Sequence, residues 1–223
     1  MHGSSNEADP PLSQATLDGA GLADPAPVTD YRVRPATAAD ADAICRIYNQ
    51  GIEDRVATLE TERRTPEERR RWLANRSPRH PVVVAEATEP RFVGGHGGGE
   101  TEPGRTFVKP PTESSGLAAP ATMVGWGSLN VFNPREAYRF VADFSIYVER
   151  AWRGRGVGRA MLEALIELAR THGFHKLVLS AFPFNAVGGA LYEKLGFRTV
   201  GVYREQGLLD GKWVDTIIME KLL

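Results

Sequence analysis

From Tyr31 onward the apolar positions fall into alternating runs and amphipathic stretches, whereas residues 1–29, rich in Ser, Pro, Ala, Gly and Asp, show no period and read as a disordered leader. Tyr31 to Arg34 alternates as a short strand does. Thr37 and Asp40 form a capping-box pattern ahead of a helix on which Ala41, Ile44 and Tyr48 share a face. A second helix opens with Thr65 as N-cap, Pro66 in its first turn and Glu68 three residues past the cap, with Trp72 and Leu73 as the expected buried side. Residues 81–86 and 123–130 read as strands. Between them, residues 88 to about 121 carry a glycine run from Gly94 to Gly99, several prolines and no apolar period. That is far more than a hairpin needs, and it predicts a flexible insertion at a hairpin tip.

The next strand is read over 138–148. Alternation places Val141, Asp143, Ser145 and Tyr147 on one face and Ala142, Phe144, Ile146 and Val148 on the other. Val157, Met161, Ala164, Leu165, Leu168 and Ala169 then recur at helical spacing, which predicts an amphipathic helix ending near His172 and Gly173. Residues 176–181 read as a buried strand, so strand, helix and strand make a parallel crossover unit with its ligand crevice beyond the carboxyl ends of the strands. After a helix carrying Tyr192, residues 197–204 and 213–220 are expected to pair as a hairpin around Asp210 and Gly211. The fold class is therefore α/β: a mixed, mostly antiparallel twisted sheet with helices on both faces and a central parallel β-α-β unit.

At 223 residues and 42% apolar content the chain can bury one good core, and its net charge of −1 gives no electrostatic case for nucleic acid or an anionic membrane as partner. No basic region followed by an apolar run opens the chain, and no stretch reaches membrane length, so a cytoplasmic protein is expected. The single cysteine, Cys45, excludes an internal disulfide and suits a reducing compartment. Within the first helix it reads as a small buried hydrophobe in preference to a nucleophile. No histidine has a partner at metal-ligand spacing, and no metal is expected.

Candidate chemistry centres on the turn between the 138–148 strand and the following helix. Gly154, Gly156 and Gly158 let the backbone bend close to a ligand, and free N–H groups at the helix start near Val157 favour phosphate oxygens. Arg153, Arg155 and Arg159 add charge. The alternative is a tight turn with a solvated rim of arginines. A P-loop is excluded because the turn ends in Gly158-Arg159-Ala160, and a dinucleotide fingerprint needs glycine where Arg159 stands. The pattern Arg153-x-x-Gly156-x-Gly158, followed by Asn185-x6-Tyr192-x3-Gly196-Phe197, resembles the coenzyme elements of the GNAT superfamily of acetyl-coenzyme A-dependent N-acetyltransferases.

The resemblance implies the GNAT fold over residues 30–223 and acetyl-CoA as cosubstrate. It implies coenzyme contacts from Ile146, Tyr147, Val148, Arg153, Gly154, Arg155, Gly156, Val157, Gly158 and Arg159, from Asn185 to the pantetheine arm, and from Tyr192 near the thioester sulfur. Residues 47–61, 142–148, 182–185 and 210–215 further resemble phosphinothricin-type acetyltransferases, the branch that includes arsinothricin and methionine sulfone or sulfoximine acetylating enzymes. That branch implies a small zwitterionic amine as acceptor; Arg55 and Arg135, whose guanidinium groups grip oxyanions in a bidentate fork, and Tyr138 are the candidates to hold it, Arg135 having the alternative of an exposed turn residue. Members frequently show a second arginine two residues ahead of Arg135, where this chain has Asn133. Many relatives are dimers, with Trp126 or the terminal hairpin as candidate interface.

Aminolysis of a thioester needs a neutral amine, a stabilised oxyanion and a proton for the departing thiolate. Asp143, where family members often carry glutamate, is the candidate general base, acting through water. Glu60 is the reserve, its alternative role being an ion pair with an arginine such as Arg55. Tyr192 is the candidate acid, against the alternative of an aromatic packed with its hydroxyl at water. A strand N–H near Tyr147 would meet the oxyanion. The run Arg69-Arg70-Arg71 reads as a solvated helix face. Three functions stay open: acetylation of a small amino-acid-like amine, acetylation of a protein amino terminus or lysine, and non-catalytic coenzyme binding.

Overall fold

The computed structural model describes residues 31–87 and 121–223. The expected leader, and the 88–121 insertion apart from its last residue, lie outside them. Strands β1 (Tyr31–Pro35), β2 (Val82–Ala87), β3 (Thr122–Val131), β4 (Val141–Val148), β5 (Lys176–Ala181), β6 (Arg198–Leu209) and β7 (Lys212–Leu222) form one sheet in the order β1-β2-β3-β4-β5-β7-β6. Every neighbouring pair is antiparallel except β4 and β5. Helices α1 (Ala41–Asp54) and α2 (Pro66–Ala74) cover one face, while α3 (Val157–Thr171) packs on the other, and α4 (Ala186–Lys194) follows β5.

The local signals act as expected. Thr65 Oγ1 accepts the Glu68 N–H at 3.2 Å and the Glu68 carboxylate accepts the Thr65 N–H at 2.6 Å, closing the capping box of α2. Asp40 accepts from the Thr37 N–H at 2.6 Å ahead of α1. Asp210 and Gly211, with φ of 48° and 77°, make the turn between β6 and β7 in the left-handed region that tight hairpins require.

Alternation along β4 sorts the two cores. Ala142 and Phe144 pack with Leu162 and Leu165 of α3, whereas Tyr147 joins Ile44, Ile47 and Ile52 of α1 with Val84 and Trp126. Burying each such aliphatic side chain contributes about 1.5–3 kcal/mol. On β3, Gly125 and Gly127 face α3 so closely that a Cβ on Gly127 would lie 3.0 Å from both Leu165 Cδ1 and the Ser145 carbonyl oxygen. Helix and sheet therefore meet over bare backbone, which fixes the height of α3 above β4.

Two expectations need correction. The strand read from Tyr138 begins at Val141. Glu136–Tyr138 instead form a short 3-10 turn, because Asn133 Oδ1 accepts the Arg135 N–H at 3.0 Å and bends the chain. Trp126 is not an interface residue: it is 2% exposed, stacked on Tyr147 at 4.8 Å and edge-on to Trp72 at 5.6 Å. The terminal hairpin does present Val200, Tyr203, Leu208 and Trp213 to solvent.

The feature that positions the site is a parting of strands. β4 and β5 pair only from Val141↔Lys176 to Asp143↔Val178, although β4 runs on to Val148 beside β3 and β5 to Ala181 beside β7. A wedge thus opens at the carboxyl ends of the parallel pair. Gly127→Ala is expected to lower stability by about 1–3 kcal/mol through overpacking against Leu165 and the Ser145 carbonyl. Denaturant unfolding checks this, and an unchanged midpoint would mean that α3 is not seated so tightly.

Candidate active site

The glycine turn ends at the mouth of this wedge. Gly154 and Gly156 have φ of 77° and 85°, and a Cβ on Gly156 would sit 2.8 Å from the Tyr31 hydroxyl, so both positions demand glycine. Gly158 is less constrained, with a virtual Cβ at 3.6 Å from Leu191 and Val148. No side chain caps α3, which leaves its first N–H groups for an anion. The three arginines divide. Arg153 pairs with Asp54 at 2.6 Å and donates to the Val148 carbonyl at 3.2 Å, and Arg159 pairs with Glu163 at 2.9 Å. Arg155 lies over the Trp152 ring at 5.2 Å, and no carboxylate pairs with it among the described residues.

A cavity of about 240 Å³ occupies the wedge, lined by Asp143, Ser145, Ile146, Tyr147, Asn185 and Tyr192 among others, with the 56–59 segment as one wall. Burial pushes the Asp143 carboxyl up to about 6, only partly offset by the Phe144 N–H. Burial, then the charge of Asp143, pushes the Tyr192 phenol up. The site thus holds a carboxylate that titrates near neutrality beside a phenol that keeps its proton, which is the division of labour acid-base chemistry requires. The Tyr192 ring is fixed edge-on to Phe144 at 5.9 Å. Asn185 caps α4, its Oδ1 accepting the Gly188 N–H at 3.1 Å, a bond that leaves its amide donors uncommitted. Burial pushes the Tyr147 phenol up, and its ring meets Tyr48 edge-on at 4.9 Å, so its side chain belongs to the α1 layer.

A second cavity of about 390 Å³ adjoins the first across Ser145 and Tyr147 and is lined by Tyr48, Glu60, Arg64, Arg69, Trp72 and Trp126 among others. Glu60 lines this cavity and does not line the one that holds Asp143 and Tyr192. Its carboxylate pairs with a nearby arginine, Arg64. Arg55 contributes only a 3.3 Å bond to the Glu60 carbonyl and reaches Asp210 at 3.0 Å, tethering the end of α1 to the terminal hairpin. Arg135 and Tyr138 lie exposed on the loop after β3 and line neither cavity. Arg69, expected on a solvated face, instead turns inward over Tyr48 at 4.1 Å. The signal was present in the sequence: Arg69 stands three residues before Trp72 and so shares its buried side.

The family model for the Acetyltransferase (GNAT) family matches residues 49–197, spanning the splayed strands, the glycine turn and the Asn185–Tyr192 segment, and the chain belongs to that family. It is an N-acetyltransferase, and acetyl-CoA is the acetyl donor. An L-methionine sulfoximine/L-methionine sulfone acetyltransferase of Pseudomonas aeruginosa is 26% identical over 84% of this chain and 92% of its own. The crystal structure of a phosphinothricin acetyltransferase from Sinorhizobium meliloti in complex with acetyl-CoA superposes with a TM-score of 0.69 at 26% identity, covering 86% of this chain and 88% of that one. That of a ribosomal-protein-alanine N-acetyltransferase from Brucella melitensis does so with 0.67 at 30% identity, covering 86% and 99%. The donor fits this chain: two glycines in the left-handed region, one of them without room for a Cβ, together with uncapped N–H groups and the uncommitted Arg155 suit a pyrophosphate, and Asn185 lines the cavity in the wedge.

Two outcomes follow. Gly156→Ala is expected to weaken acetyl-CoA binding about tenfold or more, since the side chain forces φ from the left-handed region and strikes Tyr31; calorimetry reads it, and unchanged affinity would count against the turn as the phosphate cradle. The Asp143 carboxyl is raised from 3.8 to about 6, so its ionised form costs the folded state at neutral pH and nothing below the unfolded value. Asp143→Asn is therefore expected to gain about 3 kcal/mol of stability at pH 8. The gain should shrink as pH falls through 6 and vanish below about 4, and chemical denaturation across pH checks the sign.

Proposed function

We propose that the chain acetylates the α-amine of a small amino-acid analogue of the phosphinothricin, arsinothricin or methionine sulfone/sulfoximine kind, by direct transfer in a ternary complex. The observation that carries this reading is the pairing of Asp143 and Tyr192 in one cavity at the strand wedge, backed by a second cavity that can hold the rest of a small acceptor. Asp143 takes the proton that the amine loses as its nitrogen attacks the thioester carbonyl. Tyr192 donates a hydrogen bond or its proton to the thiolate as the carbon–sulfur bond breaks. The edge of β4 beyond Asp143, which β5 no longer pairs, supplies the N–H near Tyr147 for the oxyanion.

Glu60 is assigned to hold Arg64 and not to act as base, because its carboxylate is committed to that ion pair. Direct transfer is favoured over an acetyl-cysteine route by Cys45, which is buried in α1, donates to the Arg64 carbonyl at 3.1 Å and has its thiol pushed up by burial. A second reading, acetylation of a protein amino terminus, is favoured by the likeness to the Brucella enzyme.

Thiol release from acetyl-CoA over a panel of phosphinothricin, arsinothricin, methionine sulfone, methionine sulfoximine and alanine-terminated peptides separates the two; turnover of peptides alone would reject the small-acceptor reading. With the best acceptor, kcat/KM is expected to rise with pH through about 6 as the Asp143 carboxyl ionises. Asp143→Asn should abolish that rise with a loss on the order of 100-fold, and Glu60→Gln should retain it. Tyr192→Phe is expected to lower kcat by about 10- to 100-fold with little change in KM for acetyl-CoA. Retention of the pH limb in Asp143→Asn would show that another group is the base.

A further inference from the structure

We propose that Arg69, together with the indole N–H of Trp126, forms the subsite that grips the anionic end of the acceptor. The inference deepens the small-acceptor reading above and rests on it. Arg69 projects from α2 into the 390 Å³ cavity, its guanidinium carbon 4.1 Å from the Tyr48 ring centroid and 5.4 Å from that of Trp72. Its Nε is buried with no hydrogen-bond partner, and so is Nε1 of Trp126, a residue only 2% exposed. A buried donor left unpaired is costly, and two donors lining one cavity are matched by a ligand oxyanion.

The remaining charges around the cavity are already engaged. Arg64 holds the Glu60 carboxylate and lies 4.0 Å from that of Glu68, which is itself tied to the Thr65 N–H. No carboxylate pairs with Arg69 among the described residues. The cavity floor is a polar rung in which Ser128 Oγ donates to Asn130 Oδ1 at 2.9 Å and Asn130 Nδ2 donates to Ser145 Oγ at 3.2 Å. Ser145 is shared with the cavity of Asp143, two residues away on the same face of β4 and so about 7 Å along the strand. A short amino-acid side chain spans that separation. An acceptor with its α-amine at Asp143 would extend its side chain past Ser145 into this cavity, where a terminal carboxylate or phosphinate is an oxyanion that a guanidinium meets with paired N–H donors.

Titration calorimetry of the whole chain, saturated with CoA so that the glycine turn is filled, tests the subsite with acetate and with methylphosphinate as separate probes. At least one is expected to bind, the tighter of the two identifying the kind of oxyanion accepted. Arg69→Gln is expected to weaken that binding about tenfold or more. Arg70→Gln, whose parent residue pairs with Asp42 on the surface, should leave it unchanged. Trp126→Phe, which removes the N–H and keeps an aromatic ring, should also weaken it and carries the test should Arg69→Gln not fold. Failure of both probes to bind the parent chain, or equal binding by Arg69→Gln, would overturn the subsite. Loss of CoA uptake in the same experiment would strike instead at the acetyl-transfer reading.

Discussion

Everything the site does depends on β4 and β5 ceasing to pair after three residues. A parallel sheet that kept its ladder to Val148 and Ala181 would bury the peptide edge of β4 in hydrogen bonds and leave no opening at its centre. Instead β4 remains on β3 and β5 remains on β7, so each strand keeps one partner while the gap between them widens. The cost of unpaired backbone is tolerable there because the wedge is a place for ligand polar groups. The close approach of α3 over Gly125 and Gly127 holds β4 from one side, and the Tyr48–Tyr147–Trp126 aromatic cluster holds it from the other. The glycine turn and Asp143 are thereby fixed at opposite ends of the free stretch of β4.

Charge is distributed with the same economy. Many of the arginines near the site are neutralised within the chain: Arg150 and Arg153 by Asp54, Arg64 by Glu60, Arg55 by Asp210 and Arg159 by Glu163. Arg155 at the turn and Arg69 in the acceptor cavity stand apart, each resting on aromatic rings in place of a carboxylate. Asp143 is the converse case, a carboxylate whose ionisation is opposed by burial and supported only by a backbone N–H. The described residues therefore place spare positive charge at the glycine turn and in the second cavity, and a carboxylate whose ionisation burial opposes in the wedge, an arrangement that suits the proposed anion binding and proton transfer.

Much of this was legible in the sequence, for physical reasons that differ by element. The glycine turn, the α2 capping box and the Asp210–Gly211 hairpin are local, and their backbone requirements show in the residue types. The facing of β4 followed from alternation alone. What could not be read locally was long-range: which strands part, and which arginine each carboxylate chooses. Glu60 chooses between Arg64 and Arg55, both close in sequence, and that choice follows from the path of the chain between α1 and α2, whereas the inward turn of Arg69 was legible from its spacing to Trp72. The start of β4 was misplaced because Tyr138 to Phe140 alternate like a strand while Asn133 bends the chain into a turn. Burial of Trp126 likewise needed the tertiary packing of α1 and α2 to be seen.

The central claim is that the wedge keeps Asp143 dry enough to serve as a base near neutral pH. Carboxyl-carbon NMR of the chain labelled at aspartate, with Asp143→Asn to assign the resonance, measures its titration directly. The account requires a midpoint of about 6. A midpoint near 3.8, the ordinary value for a solvated aspartate, would contradict it.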